Sequence, residues 1–186
     1  MRKLILQMQI TVNGFVAGPN GELDWMIMAR DSKSKDFMNE LIDSSDCILM
    51  GRKMTEGFMS YWLKVVENPE DPQYAFARKM VDTPKVVFAK TLDKSEWPNT
   101  VLAKGELAAE VNVMKNMPGK DILVYGGAGF VSNLLQEGLI DELYLLVNPV
   151  AIGSGMTIFK ERTNLKLVST TQYDSGKVVL HYKPVR

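Results

Sequence analysis

The stretch from Ile122 to Val150 limits the folds open to this chain more than any other. A short apolar run, Ile122 to Tyr125, passes through Gly126-Gly127-Ala128-Gly129 into a helical pattern from Phe130 to Glu137. Gly138 suits a helix C-terminus, and Glu142 to Val150 reads as the next strand. Parallel strands need a crossover between them, most often a helix, so strand, glycine turn, helix and strand point to a parallel sheet. The glycines carry a second meaning. They let backbone approach a phosphate closely, and the free N–H groups and dipole of the following helix attract the anion. A tight turn alone needs one or two glycines, and this one has three in four positions. Gly126, Gly127, Ala128, Gly129 and Phe130 are therefore candidate nucleotide-binding residues. The six residues from Gly127 to Ser132 fall one substitution short of the dinucleotide GxGxxG fingerprint. Asp141 and Glu142 follow too soon to be its ribose-binding acid.

The same strand-to-helix transition recurs earlier. Asp46 leads into the apolar run Cys47 to Met50, and Gly51-Arg52-Lys53-Met54-Thr55 then opens a short helix or turn through Phe58. A helix N-terminus here suits a pyrophosphate, and Arg52 and Lys53 suit a 2′-phosphate; a basic surface turn is the plain alternative. The other expected elements are strands at Leu4–Ile10, Lys85–Lys90 and Asn99–Ala103, with helices from about Asp31 (Ser32 as N-cap), at Gln73–Val81 and at Glu106–Met117. Leu165–Tyr173 and Lys177–Tyr182 should form a closing antiparallel hairpin, which makes His181 an ordinary edge-strand residue. Between Thr11 and Trp25 lies a glycine-rich loop long enough to be functional, with Phe15, Val16, Leu23 and Trp25 as apolar anchors.

Composition narrows the function classes. Twenty-two basic and 22 acidic residues cancel, so nothing suggests a nucleic-acid or membrane-surface partner. The single Cys47 cannot form an intrachain disulfide and should be a buried small hydrophobe; with only His181 beside it, a zinc site is disfavoured. The N-terminal apolar stretch is broken by Gln7 and Gln9 and has no clear cleavage site, so a cytoplasmic protein is expected. With no repeats or linkers, residues 1–186 are expected to form one domain.

Taken in order, several blocks resemble the dihydrofolate reductase superfamily, specifically proteins like the reductase domain of bacterial riboflavin biosynthesis (RibD C-terminal type). They are Thr11-Val12-Asn13-Gly14-Phe15-Val16-Ala17-Gly18, Asp46 to Lys53, Lys85 to Leu92, and Gly126-Gly127 followed by Leu139 to Leu143 and Pro149 to Gly155. The resemblance implies a three-layer α/β fold: a mixed, mostly parallel eight-stranded sheet with helices on both faces and a C-terminal antiparallel hairpin. It also implies NADPH as hydride donor. The nicotinamide would lie near Ala17 and Gly18, the phosphates at the Arg52 to Thr55 and Gly127 to Gly129 helix starts, and Arg52 and Lys90 near the adenosine end, with Gly51 also among the cofactor-binding residues. The loop before Trp25 would close over the cofactor, and the domains of this type commonly pair as homodimers.

Departures from the pattern concern the substrate. The position matching the carboxylate of dihydrofolate reductases is Arg30, with Asp31 beside it; Tyr125 stands where a glutamate commonly precedes the glycine pair; Asn13 replaces an aspartate; and Met54 stands where a threonine is expected, with Thr55 one place later. Asp24, Trp25 and Tyr125 are the expected substrate-proximal residues. The leading expectation is an NADPH-dependent reductase of a small heterocycle, of the 5-amino-6-(5-phosphoribosylamino)uracil reductase kind. A dihydrofolate or pterin reductase and a non-catalytic nucleotide-binding protein of the same fold are the alternatives. A homodimer is expected through the C-terminal hairpin, whose strand Val178 to Tyr182 has apolar residues on both faces.

Overall fold

The computed structural model describes residues 1–27 and 32–185. Its first strand, β1 (Leu4–Thr11), is buried along its length except at Gln9, which is half-buried. Alternate side chains enter two different cores. Ile5 packs in the layer of Leu41, Ile42, Trp62 and Met80, while Leu4, Leu6, Met8 and Ile10 pack in that of Val111, Met114, Val131 and Leu134. A strand apolar on both faces needs cover on both, which is the three-layer solution.

Around β1 lie β2 (Ser45–Gly51), β3 (Lys85–Phe88), β4 (Thr100–Ala103), β5 (Asp121–Gly126), β6 (Glu142–Asn148), β7 (Leu165–Gln172) and β8 (Val178–Pro184). The spatial order is β4-β3-β2-β5-β1-β6-β8-β7. The strands from β4 through β6 run parallel, and β8 and β7 turn back antiparallel. Helices α1 (Ser32–Asp43), α2 (Arg52–Val65) and α3 (Tyr74–Asp82) cover one face; α4 (Leu107–Asn116) and α5 (Ala128–Gln136) cover the other. Among the described residues no helix is long and apolar enough to cross a membrane. Cys47 is buried as expected, and burial pushes its thiol up to about 11.

Four details differ from the sequence expectations. The helix opened by Gly51 does not stop near Phe58 but runs to Val65, because Met59, Trp62 and Val65 form a buried stripe, of which Trp62 and Val65 join the core of this layer. Ser32, expected as a cap, is already the first helical residue, and the expected start at Asp31 lies outside the described residues. Leu23, expected as an apolar anchor, is exposed and belongs to none of the hydrophobic cores. His181 is not on an edge strand: β8 lies between β6 and β7, and His181 stacks on Tyr144 at 4.2 Å with Nε2 3.0 Å from Glu142 Oε2. The edge strand is β7, whose residues are mostly exposed.

One buried cation is explained by a helix end. Lys85 Nζ donates to Val81 O at 2.8 Å and Thr83 O at 2.6 Å, capping the C-terminus of α3. Burial still pulls this ammonium down to about 8.

Candidate active site at the carboxyl edge

At the carboxyl ends of β2 and β5 the two glycine turns meet. The strands are paired there, Met50 with Gly126, so α2 and α5 start side by side. A Cβ placed on Gly51 would lie 2.7 Å from Phe130 Cβ and 3.6 Å from the Gly127 nitrogen, so the turns abut and only glycine fits at Gly51. Gly126 has φ +131°, a conformation open to glycine, and a Cβ there would meet Met54 Sδ at 2.9 Å. The Gly126–Gly127 peptide bond is cis. Gly127 itself is extended, at φ −83°, and a Cβ there would touch Met54 at an ordinary 3.5 Å. The positive-φ constraint in this turn therefore falls on Gly126 and not on Gly127. Gly129 is exposed, while Ala128 and Phe130 are half-buried.

Both helices begin with a glycine N-cap that offers no side-chain hydrogen bond, and neither has an acid in its first turn. Their first N–H groups are thus left to solvent or to an anion. At the start of α2 stand Arg52 and Lys53, both exposed. Cations at a helix N-terminus oppose its dipole, at a cost of about 0.3–1 kcal/mol each. Paired there without a carboxylate, they build an anion-attracting end. Thr55 is turned inward instead and fully buried; its hydroxyl donates to Gly51 O at 3.2 Å, so it offers nothing to a ligand. Lys90 follows β3 two residues after Phe88, the partner of Gly51, and reaches solvent with Glu106 3.7 Å away.

The loop after β1 is tied down at both ends. Val16 N–H donates to Met156 O and Met156 N–H to Ala17 O, each at 2.8 Å, while Asn13 Nδ2 donates to Ile152 O at 2.7 Å. Asn13 thus serves as a clasp between this loop and the segment after β6, a task that a carboxylate, which only accepts, would not share. Of the four main-chain groups at Ala17 and Gly18, three are occupied: Gly18 N–H binds Glu22 O, Gly18 O accepts from Gly21, and Ala17 O accepts from Met156. The Ala17 N–H has no partner among the described residues.

Tyr125, last side chain of β5 before the glycines, stacks obliquely on Phe58 at 5.4 Å. Its hydroxyl and the indole N–H of Trp25 are both buried without a hydrogen-bond partner. Burial raises the Tyr125 hydroxyl well above the ordinary tyrosine value, so it stays protonated, a neutral group able to donate. Asp24 is exposed in a turn. Arg30, the position matching the family carboxylate, lies outside the described residues.

Gln9, Asn148 and Lys177 form a polar cluster beside this edge that the sequence reading did not single out as functional. Asn148 and Lys177 are buried. The available signal was a pair of glutamines, Gln7 and Gln9, at alternate positions of a strand otherwise apolar on both faces. A buried polar side chain needs partners, and these come from distant parts of the chain.

Comparison with known proteins agrees with this architecture. The family model of the RibD C-terminal domain matches residues 2–179. The uncharacterized protein YyaP of Bacillus subtilis is 36% identical over 186 residues, covering 97% of this chain and 94% of its own. The crystal structure of a putative riboflavin biosynthesis protein from a Shewanella species superposes with a TM-score of 0.70 at 21% identity, covering 99% of both chains. A diaminohydroxyphosphoribosylaminopyrimidine deaminase/5-amino-6-(5-phosphoribosylamino)uracil reductase from Thermotoga maritima gives 0.65 at 15% identity, covering 99% of this chain and 57% of that one. With its eight-stranded sheet, paired glycine turns and nearly full-length family match, the chain belongs to the RibD C-terminal domain family.

Proposed function

We propose that this protein is an NADPH-dependent oxidoreductase of the cytoplasm that passes hydride to a small heterocycle, of the ribosylaminopyrimidine kind met in riboflavin synthesis. The observation that carries the proposal is the pair of uncapped, glycine-started helix N-termini abutting at the carboxyl ends of β2 and β5. A dinucleotide fits this donor set. The starts of α2 and α5 would hold its phosphates, Arg52, Lys53 and Lys90 would meet the 2′-phosphate, and the Ala17 N–H would donate to the carboxamide oxygen. When bound, NADPH supplies the hydride; the protein holds, orients and keeps water out. The clasped loop of residues 12–27 excludes solvent, and Tyr125 and Trp25 offer neutral donors to the substrate.

Fluorescence titration with both nicotinamide cofactors tests the proposal. NADPH should bind the native protein more tightly than NADH, and Arg52→Ala should lose about 1.5–3 kcal/mol of that preference, the size of one charge-assisted contact. Equal affinities in the native protein would overturn it. The proposal includes a homodimer paired along β7, where Leu167 and Val168 are about half exposed on an open edge. Light scattering should then give twice the chain's 20.9 kDa at micromolar concentration, and a monomer mass would refute the pairing.

A further inference from the structure

The Gln9 cluster has no task in holding a dinucleotide, yet its hydrogen bonds leave each amide only one orientation. Asn148 is the last residue of β6 and is wholly buried. Its Oδ1 accepts from the Ile27 N–H at 2.9 Å, so the other branch is its nitrogen, which donates to Leu146 O at 3.0 Å and to Gln9 Oε1 at 2.9 Å. Lys177 Nζ donates to the same Gln9 oxygen at 3.2 Å and also to Ile27 O. An ammonium has only donors, so the Gln9 carboxamide must turn its oxygen toward Lys177 and its nitrogen away. That nitrogen has no partner among the described residues and is not one of the buried unpartnered atoms. Its two N–H groups open to solvent.

Their position is informative. The β1–β5 pairing ends at Leu6 opposite Val124, and β5 ends at Gly126, whereas β1 runs on to Thr11. Gln9 therefore stands past the end of β5, at the carboxyl edge, where open α/β sheets bind their ligands. By strand alternation it lies on the face of Ile5 and Gln7, the face that Tyr125 also packs against.

From this, and resting on the reductase reading, we infer that Gln9 is a specificity-determining residue whose N–H groups recognise a ring carbonyl oxygen of the substrate. Two donors on Oε1, one of them charged, polarise the amide and strengthen its N–H groups as donors. They also hold the side chain in place before a ligand arrives, so little order is lost on binding. A site with a donor set for an oxygen discriminates against a ring without one, because the donors would be covered and unpaired.

The test is calorimetric titration of 5,6-diaminouracil and of 4,5-diaminopyrimidine, which keeps the ring and amines but lacks the carbonyls. It is run on the native protein and on Gln9→Glu, with and without NADP⁺. Glutamate keeps the acceptor for Asn148 and Lys177 and adds an ion pair, so the melting temperature should hold or rise; it has no donors to offer. The native protein should prefer the diaminouracil at least tenfold, and Gln9→Glu should lose that preference with NADP⁺ affinity unchanged. A preference retained in Gln9→Glu, or absent from the native protein, overturns the inference. A Gln9-dependent preference in a protein that binds no NADP⁺ would uphold the role of Gln9 and defeat the reductase reading.

Discussion

At Gly51 and Gly127 the groups left without an internal partner are main-chain N–H donors at two helix starts, whereas at Gln9, Trp25 and Tyr125 they belong to side chains. The first region is defined by what its residues lack. A Cβ at Gly51 would strike Phe130, and one at Gly126 would strike Met54. The second is defined by what its residues carry and by the partners that aim them. Such a difference separates two kinds of tolerance. A main-chain cradle is indifferent to side-chain chemistry and sensitive to side-chain volume; a side-chain recess is the reverse. One fold can thus keep a cofactor site while its substrate side varies.

Substitutions in the two regions should differ in kind as well as size. Gly51→Val should have the largest effect. Its branched side chain cannot avoid Phe130, so α2 and α5 must be pushed apart, at a cost of about 1–3 kcal/mol or more for overpacking. Denaturant melts should show the loss of stability and cofactor titration the loss of binding together. Gly127→Val should separate these two readouts. The site is extended and its Cβ has room beside Met54, so folding should be nearly unchanged, while the added bulk at the start of α5 should weaken NADPH by at least tenfold, about 1.4 kcal/mol. Unchanged affinity there would remove the α5 start from the cradle.

Tyr125→Phe should be the smallest change, and of opposite sign. Deleting a buried hydroxyl that has no partner relieves a desolvation penalty of about 1–3 kcal/mol. Thermal melts should rise by about 2–4 °C per kcal/mol for a chain of this size. Cofactor affinity should stay fixed. A fall in melting temperature would mean that the hydroxyl already has a partner in the folded protein, and would place Tyr125 with the scaffold rather than with the substrate side.

How much of this was legible in the sequence follows the same division. Each glycine turn is a local event, flanked by an apolar strand and a helical pattern, and could be read from a dozen consecutive residues. The length of α2 is not legible in its basic turn, because the Met59, Trp62 and Val65 stripe that extends it lies further along the chain. Tyr125 precedes the glycines in the chain, which the sequence shows; that its ring meets Phe58 and that its hydroxyl is buried without a partner are visible only in the fold.

The sequence by itself determined the order of strands and helices, the two phosphate-suited turns and the closing hairpin, because periodicity and turn chemistry act over a few residues. Tertiary structure alone decided that the two turns touch, that the glycine constraint falls on Gly51 and Gly126 rather than Gly127, and that Gln9 turns its nitrogen outward. Each of these depends on residues far apart in the chain. Gly51 meets Phe130, and the Gln9 amide is oriented by a lysine 168 positions away. Contacts of that span are set by how the sheet is assembled, and local pattern carries no record of them.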